Sequence, residues 1–258
     1  MILAVDIGNT NMVLGILKDG AKPVQLRIRS DTTMTTDEYA SVILYLFEKK
    51  GIDIKSIEGV IIGSVVPRLQ FTVSRFVSKY MGLKPMIVGA GIKSGISIRM
   101  ENHKEVGADR IANAVGAVNK FGAPCIVIDF GTATTFDVIN DKSEYIGGVI
   151  CPGITLAAAG LHSSTAKLPE IEITKPTCVI GKNTVHSMQS GVFYGYVGLI
   201  NGLMEKILDE EFKNNQQVKL VSTGGLGRIF DGELKYNVIY EPFLTLEGLK
   251  SIYERNLR

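Results

Sequence analysis

Apolar residues come in short bursts along this chain, and the spacing inside the bursts changes from one stretch to the next. Ile2 to Val5 and Met12 to Leu17 read as two strands of a hairpin, with Asp6, Gly8, Asn9, Thr10 and Asn11 at the turn. Cys125 to Ile128 and Thr135 to Ile139 read the same way around Asp129, Gly131 and Thr132. Val24 to Ser30 alternates apolar and polar residues and suits a third strand, while Glu58–Val65 and Pro85–Val88 are short buried runs. Gly95–Met100, Glu144–Gly153 and Lys219–Ser222 complete the strand candidates.

Between these runs the period lengthens. "TTDEYASVILYLFEKKG" predicts a helix with Thr36 as N-cap, Asp37 and Glu38 in its first turn, Lys49 and Lys50 in its last and Gly51 as its stop. Further helices are predicted from Pro67 to about Tyr80, Ala108 to Phe121, along "ITLAAAGL", from Thr184 to about Phe212, and from Thr245 to Asn256. Strands alternating with helices imply an α/β fold with its site at the strand ends.

The two Asp-x-Gly units, at positions 6 and 129, stand 123 positions apart, close to half of the 258-residue chain. A single Asp-x-Gly turn is ordinary hairpin punctuation. Its recurrence at half-length points to a duplicated fold with one phosphate loop per half, because a Gly turn after a strand can present backbone N–H groups to an anion. The expected domains are 1–117 and 118–258, with a nucleotide cleft between them.

Composition narrows the function. A 45% hydrophobic content supports a large core, and a net charge of +2 with basic and acidic residues interleaved favours neither nucleic acid nor a membrane surface. Cys125, Cys151 and Cys178 are too widely spaced for a metal site and read as reduced thiols of a cytoplasmic protein. The chain opens on a strand, without the basic leader and apolar stretch of a signal peptide. The uncharged stretch from Thr184 to Met204 is too Gly-rich and polar for a membrane span; its small residues suit close packing against another helix, and it is the best self-association surface in the chain.

Asp109 and Arg110 fall in the first turn of the Ala108–Phe121 helix, where the dipole favours anions. Taken alone, such an Asp is a capping residue. In context it joins a series: "DIGNT" at Asp6, "GSVVP" at Gly63, "GADR" at Gly107, "DFGTATT" at Asp129, "YIGGVICPG" at Tyr145, "GKNTVHSMQSG" at Gly181 and "TGG" at Thr223. In this order the motifs resemble the type III pantothenate kinases of the acetate and sugar kinase, chaperone and actin superfamily, over nearly the whole chain.

The resemblance implies two duplicated ribonuclease H-like domains of the actin-like ATPase fold. It implies that ATP phosphates lie over Asp6, Ile7, Gly8, Asn9, Thr10, Asn11, Met12 and Val13, with Asp6 near Mg²⁺ and Thr132 adding a contact from the second half. Asp129 resembles the ligand of a monovalent cation, K⁺ or NH₄⁺, and Gly224 and Gly225 look like the adenosine-side turn. Met100, Gly107, Ala108, Asp109, Arg110 and Thr184 would hold pantothenate, with Asp109 accepting the proton of the hydroxyl that is phosphorylated. A homodimer built on the long helix is implied as well. Family members often carry an aromatic residue where this chain has Met100, which fills apolar space but donates no phenolic hydrogen bond. Weaker substrate binding is the expectation, and a pantothenate titration of Met100→Tyr measures it. The competing readings are a superfamily kinase for another small molecule, a non-catalytic accessory factor for transcription, and an actin-like structural protein.

Overall fold

A computed structural model describes residues 1–213 and 217–257. They divide into two units, Met1–Lys120 with the C-terminal stretch from Phe243, and Phe121–Pro242. In the first, β1 (Ile2–Ile7), β2 (Asn11–Leu17) and β3 (Val24–Arg29) form an antiparallel meander, and β4 (Gly59–Ser64) and β5 (Met86–Ile87) extend it in parallel on the other side of β1. The order is β3-β2-β1-β4-β5. β1 and β4 lie inside the sheet and are covered on both faces, which is why both read as almost unbroken apolar runs.

Alternation along β1 assigns its side chains to two cores. Leu3, Val5 and Ile7 pack with Tyr39, Ile43 and Phe47 of α1 (Thr36–Lys49) and Leu69, Val73 and Phe76 of α2 (Pro67–Phe76). Ala4, with Ile61 of β4, packs on the opposite face. The cap of α1 is Thr35, one residue before the predicted Thr36. Thr35 and Glu38 form a reciprocal capping box, which only a residue three before the Glu can close. The strand expected over Gly95–Met100 contracts to β6 (Ser97–Ile98), while α3 (Ala108–Phe121) has the predicted bounds.

The second unit repeats the plan. β7 (Cys125–Phe130), β8 (Ala133–Ile139) and β9 (Glu144–Pro152) form the meander, and β10 (Lys219–Thr223) and β11 (Ile239–Tyr240) run parallel to β7. These five strands order β9-β8-β7-β10-β11, the same arrangement element for element. Ile126, Ile128 and Phe130 pack against Ile154 of α4 (Ile154–Ser163) and Phe193, Tyr196 and Ile200 of α5 (Thr184–Ile207).

The last helix, α6 (Leu244–Leu257), departs from the expected division at 117/118. It belongs to the first unit, where Leu246, Leu249 and Ile252 join Ala4, Ile61 and Ala112 in the second core. It crosses α3 at Gly248, where a Cβ would come within 1.8 Å of the Ala112 carbonyl oxygen. Thr245 Oγ1 donates to the Oδ1 of fully buried Asn113 across the same crossing (2.7 Å).

Candidate active site

In the first unit the expected residues gather at the C-terminal ends of the parallel strands β1 and β4, where open α/β sheets place their ligands. Half-buried Asp6 sits beside Gly63 of β4, one residue before β1 ends. The turn that follows is closed by the Gly8 N–H donating to the Asn11 carbonyl (3.0 Å) and leaves Asn9 and Thr10 exposed at its tip. Ile7 and Met12 bury their side chains completely in the core, so they can face a ligand only through their backbone.

Val65, just past β4, connects this turn to α3. Its N–H donates to the Ile7 carbonyl (3.1 Å), and its Cγ1 would lie 3.3 Å from a Cβ at Gly107. That Cβ would also come within 2.5 Å of Asp109 Oδ1, so glycine at 107 is what leaves room for the half-buried carboxylate. Asp109 Oδ1 accepts the N–H of Arg110 (2.8 Å). Ala108 packs into the core beside Leu249 of α6 and fixes the start of α3. Met100 lies half-buried just after β6.

In the second unit, Gly131 donates to the Ala133 carbonyl (3.1 Å) to close the turn, and Thr132 is exposed at its tip. The two turns differ by one residue. Ile7 pairs with Met12 across four intervening residues, whereas Phe130 pairs with Thr134 across three. Asp129 stands between Thr135 of β8 and Thr223 of β10 in the register. Directly opposed residues of an antiparallel pair share a face, so Thr135 projects on the same side as Asp129, and its buried Oγ1 makes no hydrogen bond. The turn after β10 rests on β7. Gly224 has φ +92°, and a Cβ there would meet the Phe130 carbonyl oxygen at 2.6 Å. Its own carbonyl accepts from the Tyr240 hydroxyl (3.0 Å).

Thr184 is the exposed first residue of α5, behind an Asn183 cap whose side chain accepts the His186 N–H (2.9 Å). The α5 residue that reaches the second turn is Tyr196, which donates to Thr134 Oγ1 and lies 3.2 Å from the Pro152 carbonyl. Burial pushes its phenol above the ordinary range.

Four residues that position these turns are given no role by the motifs: Ser30 and Tyr196 lie outside them, while Val65 and Gly153 lie inside "GSVVP" and "YIGGVICPG". Ser30 donates from Oγ to the Gly8 carbonyl (2.6 Å) and from N to the Thr10 carbonyl (3.0 Å). Gly153 donates from N to the Thr132 carbonyl (3.0 Å). Both directly follow the third strand of their unit, and they are 123 positions apart, the spacing of Asp6 and Asp129. That shared offset is the signal that finds them.

Comparison with solved structures places the fold. A Campylobacter jejuni protein of the Baf family of transcriptional activators aligns with 99% of this chain and 98% of its own, at 19% identity and TM-score 0.60. A Sinorhizobium meliloti protein assigned as a 2-dehydro-3-deoxygalactonokinase aligns over 99% and 96% (13%, TM-score 0.56). The Clostridium difficile activator of 2-hydroxyisocaproyl-CoA dehydratase, with bound ADPNP, aligns over 99% and 97% (14%, TM-score 0.51). The class is therefore the actin-like ATPase and sugar kinase fold, two duplicated α/β units each with a Gly turn at its first hairpin. Residues 2–206 match the model of the type III pantothenate kinase family, and the chain belongs to that family. By family it is a kinase.

Proposed function

We propose that the chain transfers the γ-phosphoryl group of ATP to the hydroxyl of pantothenate, giving 4'-phosphopantothenate and ADP, the first step of coenzyme A biosynthesis. The observation that carries this reading lies within the first unit. Val65 ties the turn after Asp6 to Gly107, and Gly107 makes room for the Asp109 carboxylate. A phosphate-loop candidate and a proton acceptor thus share one end of one sheet.

Phosphoryl transfer to an alcohol rests on positioning and charge neutralisation. The alcohol oxygen bonds to the γ-phosphorus, the bond from that phosphorus to the bridging oxygen of ADP breaks, and the alcohol proton passes to Asp109. In the first unit, backbone N–H groups between Gly8 and Val13 would contact phosphate; in the second, the exposed Thr132 at the tip of its own turn offers a phosphate contact. Arg110 offers a planar fork to the pantothenate carboxylate. Gly107, Ala108 and Met100 would shape the pantothenate pocket of the first unit, and Thr184 of the second unit is a further candidate contact through its exposed hydroxyl.

Among the described residues no group of three or more His, Cys, Asp or Glu side chains forms a metal cage. Mg²⁺ needs none, because it is commonly held by one or two carboxylates with phosphate and water, and Asp6 would be such a carboxylate. A monovalent cation would be held by Asp129, with the unbonded Thr135 hydroxyl on the same sheet face as a further hard oxygen donor. Bound cations supply positive charge beside the polyphosphate.

The α5 glycines support a homodimer. Gly191, Gly195, Gly198 and Gly202 fall on one stripe of that helix, exposed, with open space where each Cβ would be. A cytoplasmic location fits the substrates and the free thiols.

The test is ADP release from purified protein given ATP, Mg²⁺ and pantothenate in matched K⁺ and Na⁺ buffers. Pantothenate-dependent turnover that collapses in Na⁺ is expected. Folded protein that turns over in neither buffer would refute the assignment and favour the accessory role suggested by the Baf family likeness.

A further inference from the structure

An anion loop works only when its N–H groups face the anion, so its carbonyls must be engaged elsewhere. In the turn after β1 that engagement falls to Ser30, whose Oγ takes the Gly8 carbonyl (2.6 Å) and whose N–H takes the Thr10 carbonyl (3.0 Å). In a trans peptide the carbonyl and the following N–H point in opposite directions. These two bonds therefore turn the Asn9 and Asn11 N–H groups away from Ser30.

Ser30 is itself held by a buried tyrosine. Tyr39 of α1 is 1% exposed, and its hydroxyl accepts the Asp31 N–H (2.8 Å). Its own proton lies between the carbonyls of Asp31 (3.1 Å) and Arg29 (3.3 Å). The residues on either side of Ser30 are thus anchored to the core of the first unit. At the matching place in the second unit, Gly153 supplies an N–H but has no side chain.

We propose that Ser30, backed by Tyr39, is a positioning residue that sets the peptide planes of the first phosphate loop and thereby controls its affinity for nucleotide. The proposal rests on the reading that this loop holds ATP phosphates. Removing the hydroxyl frees the Gly8–Asn9 peptide to rotate; the loop tip is exposed, so water replaces the lost donor and the fold persists.

The experiment compares wild type, Ser30→Ala, Ser30→Thr and Tyr39→Phe by calorimetric binding of Mg-ATP, by KM for each substrate, by kcat and by thermal unfolding. Ser30→Ala is expected to bind Mg-ATP about five-fold more weakly, with KM for ATP rising in step. Its kcat, KM for pantothenate and Tm should stay near wild type, and Ser30→Thr should recover the affinity. Tyr39→Phe should move ATP affinity in the same direction, and decides the matter if Ser30→Ala does not fold. Unchanged ATP affinity in the alanine variant overturns the proposal. So does a joint loss of ATP affinity, pantothenate affinity and Tm, which marks a purely structural role. Wild-type protein that binds no Mg-ATP is a different result: it refutes the kinase reading, and the proposal falls with it.

Discussion

Asp109 owes its place to the backbone of two neighbours, Gly107 and Arg110. Gly107 leaves the space its oxygen occupies, and the Arg110 N–H holds that oxygen at 2.8 Å. Asp109→Asn keeps the size and can still accept the Arg110 N–H, but cannot take up a proton. Turnover should fall by at least about 100-fold, at the low end for losing a general base, with ATP affinity and Tm little changed. Near-normal kcat would reassign the base. A second prediction concerns Cys125, fully buried in β7, whose thiol is pushed from 9.0 to about 12, first by burial and then by the nearby charge of Asp137. Above pH 9 the unfolded chain loses this proton while the folded protein keeps it. The unfolded state then binds fewer protons, and stability falls with rising pH by about 1.4 kcal/mol per unit up to about pH 12. The raised phenols of Tyr39 and Tyr196 act in the same direction but are common to both proteins when Cys125→Ala is compared with wild type. Denaturant titrations from pH 8 to 10.5 should give a shallower slope for the variant; parallel slopes would show that this thiol does not titrate as its burial implies.

At the scale of elements, what the sequence made legible was local. α3 has the predicted bounds because Ala108 to Phe121 carries a helical period with an acidic start, and both hairpins follow from apolar runs around Gly turns. What escaped was long-range. Nothing in Leu244–Leu257 says which sheet its apolar stripe will cover, and nothing near Ser30 says that its hydroxyl reaches back to Gly8. The one-residue difference between the turns was hidden by the equal spacing of the two Asp-x-Gly units, since it depends on cross-strand register. The α3–α6 crossing turns such a hidden contact into a measurement. A Cβ at Gly248 would lie 1.8 Å from the Ala112 carbonyl oxygen, a backbone atom with little freedom to yield. Gly248→Ala should therefore destabilise the protein by about 1–3 kcal/mol despite alanine's better helix propensity. Gly160→Ala in α4, where a Cβ meets nothing within 4 Å, should instead gain about 0.5–1 kcal/mol. Chemical unfolding of both variants reads the contrast, and equal shifts would mean that the crossing is not packed as described.

For the whole molecule, the chain leaves the first unit after Lys120 and returns to it at Phe243, so the second unit is an insertion within the first. The family match ends at residue 206, yet the first unit's second core is completed 40 residues later. Leu244, Leu246, Leu249 and Ile252 are each at most 2% exposed. At about 1.5–3 kcal/mol per buried side chain these four contribute ~6–12 kcal/mol, comparable with the entire net stability of a typical domain. Ala4, Ile61, Ala108 and Ala112 would be uncovered at the same time, and Ala108 starts the helix that carries Asp109. Removing residues 243–258 should therefore abolish cooperative unfolding and turnover together, although every motif residue remains in the chain. Circular dichroism melting and ADP release on the 1–242 fragment test this. Adding a synthetic 243–258 peptide in trans should restore part of both signals, because the lost surface is specific to one helix. A 1–242 fragment that melts cooperatively and turns over at the wild-type rate would show that α6 covers the first unit without holding its active end in place.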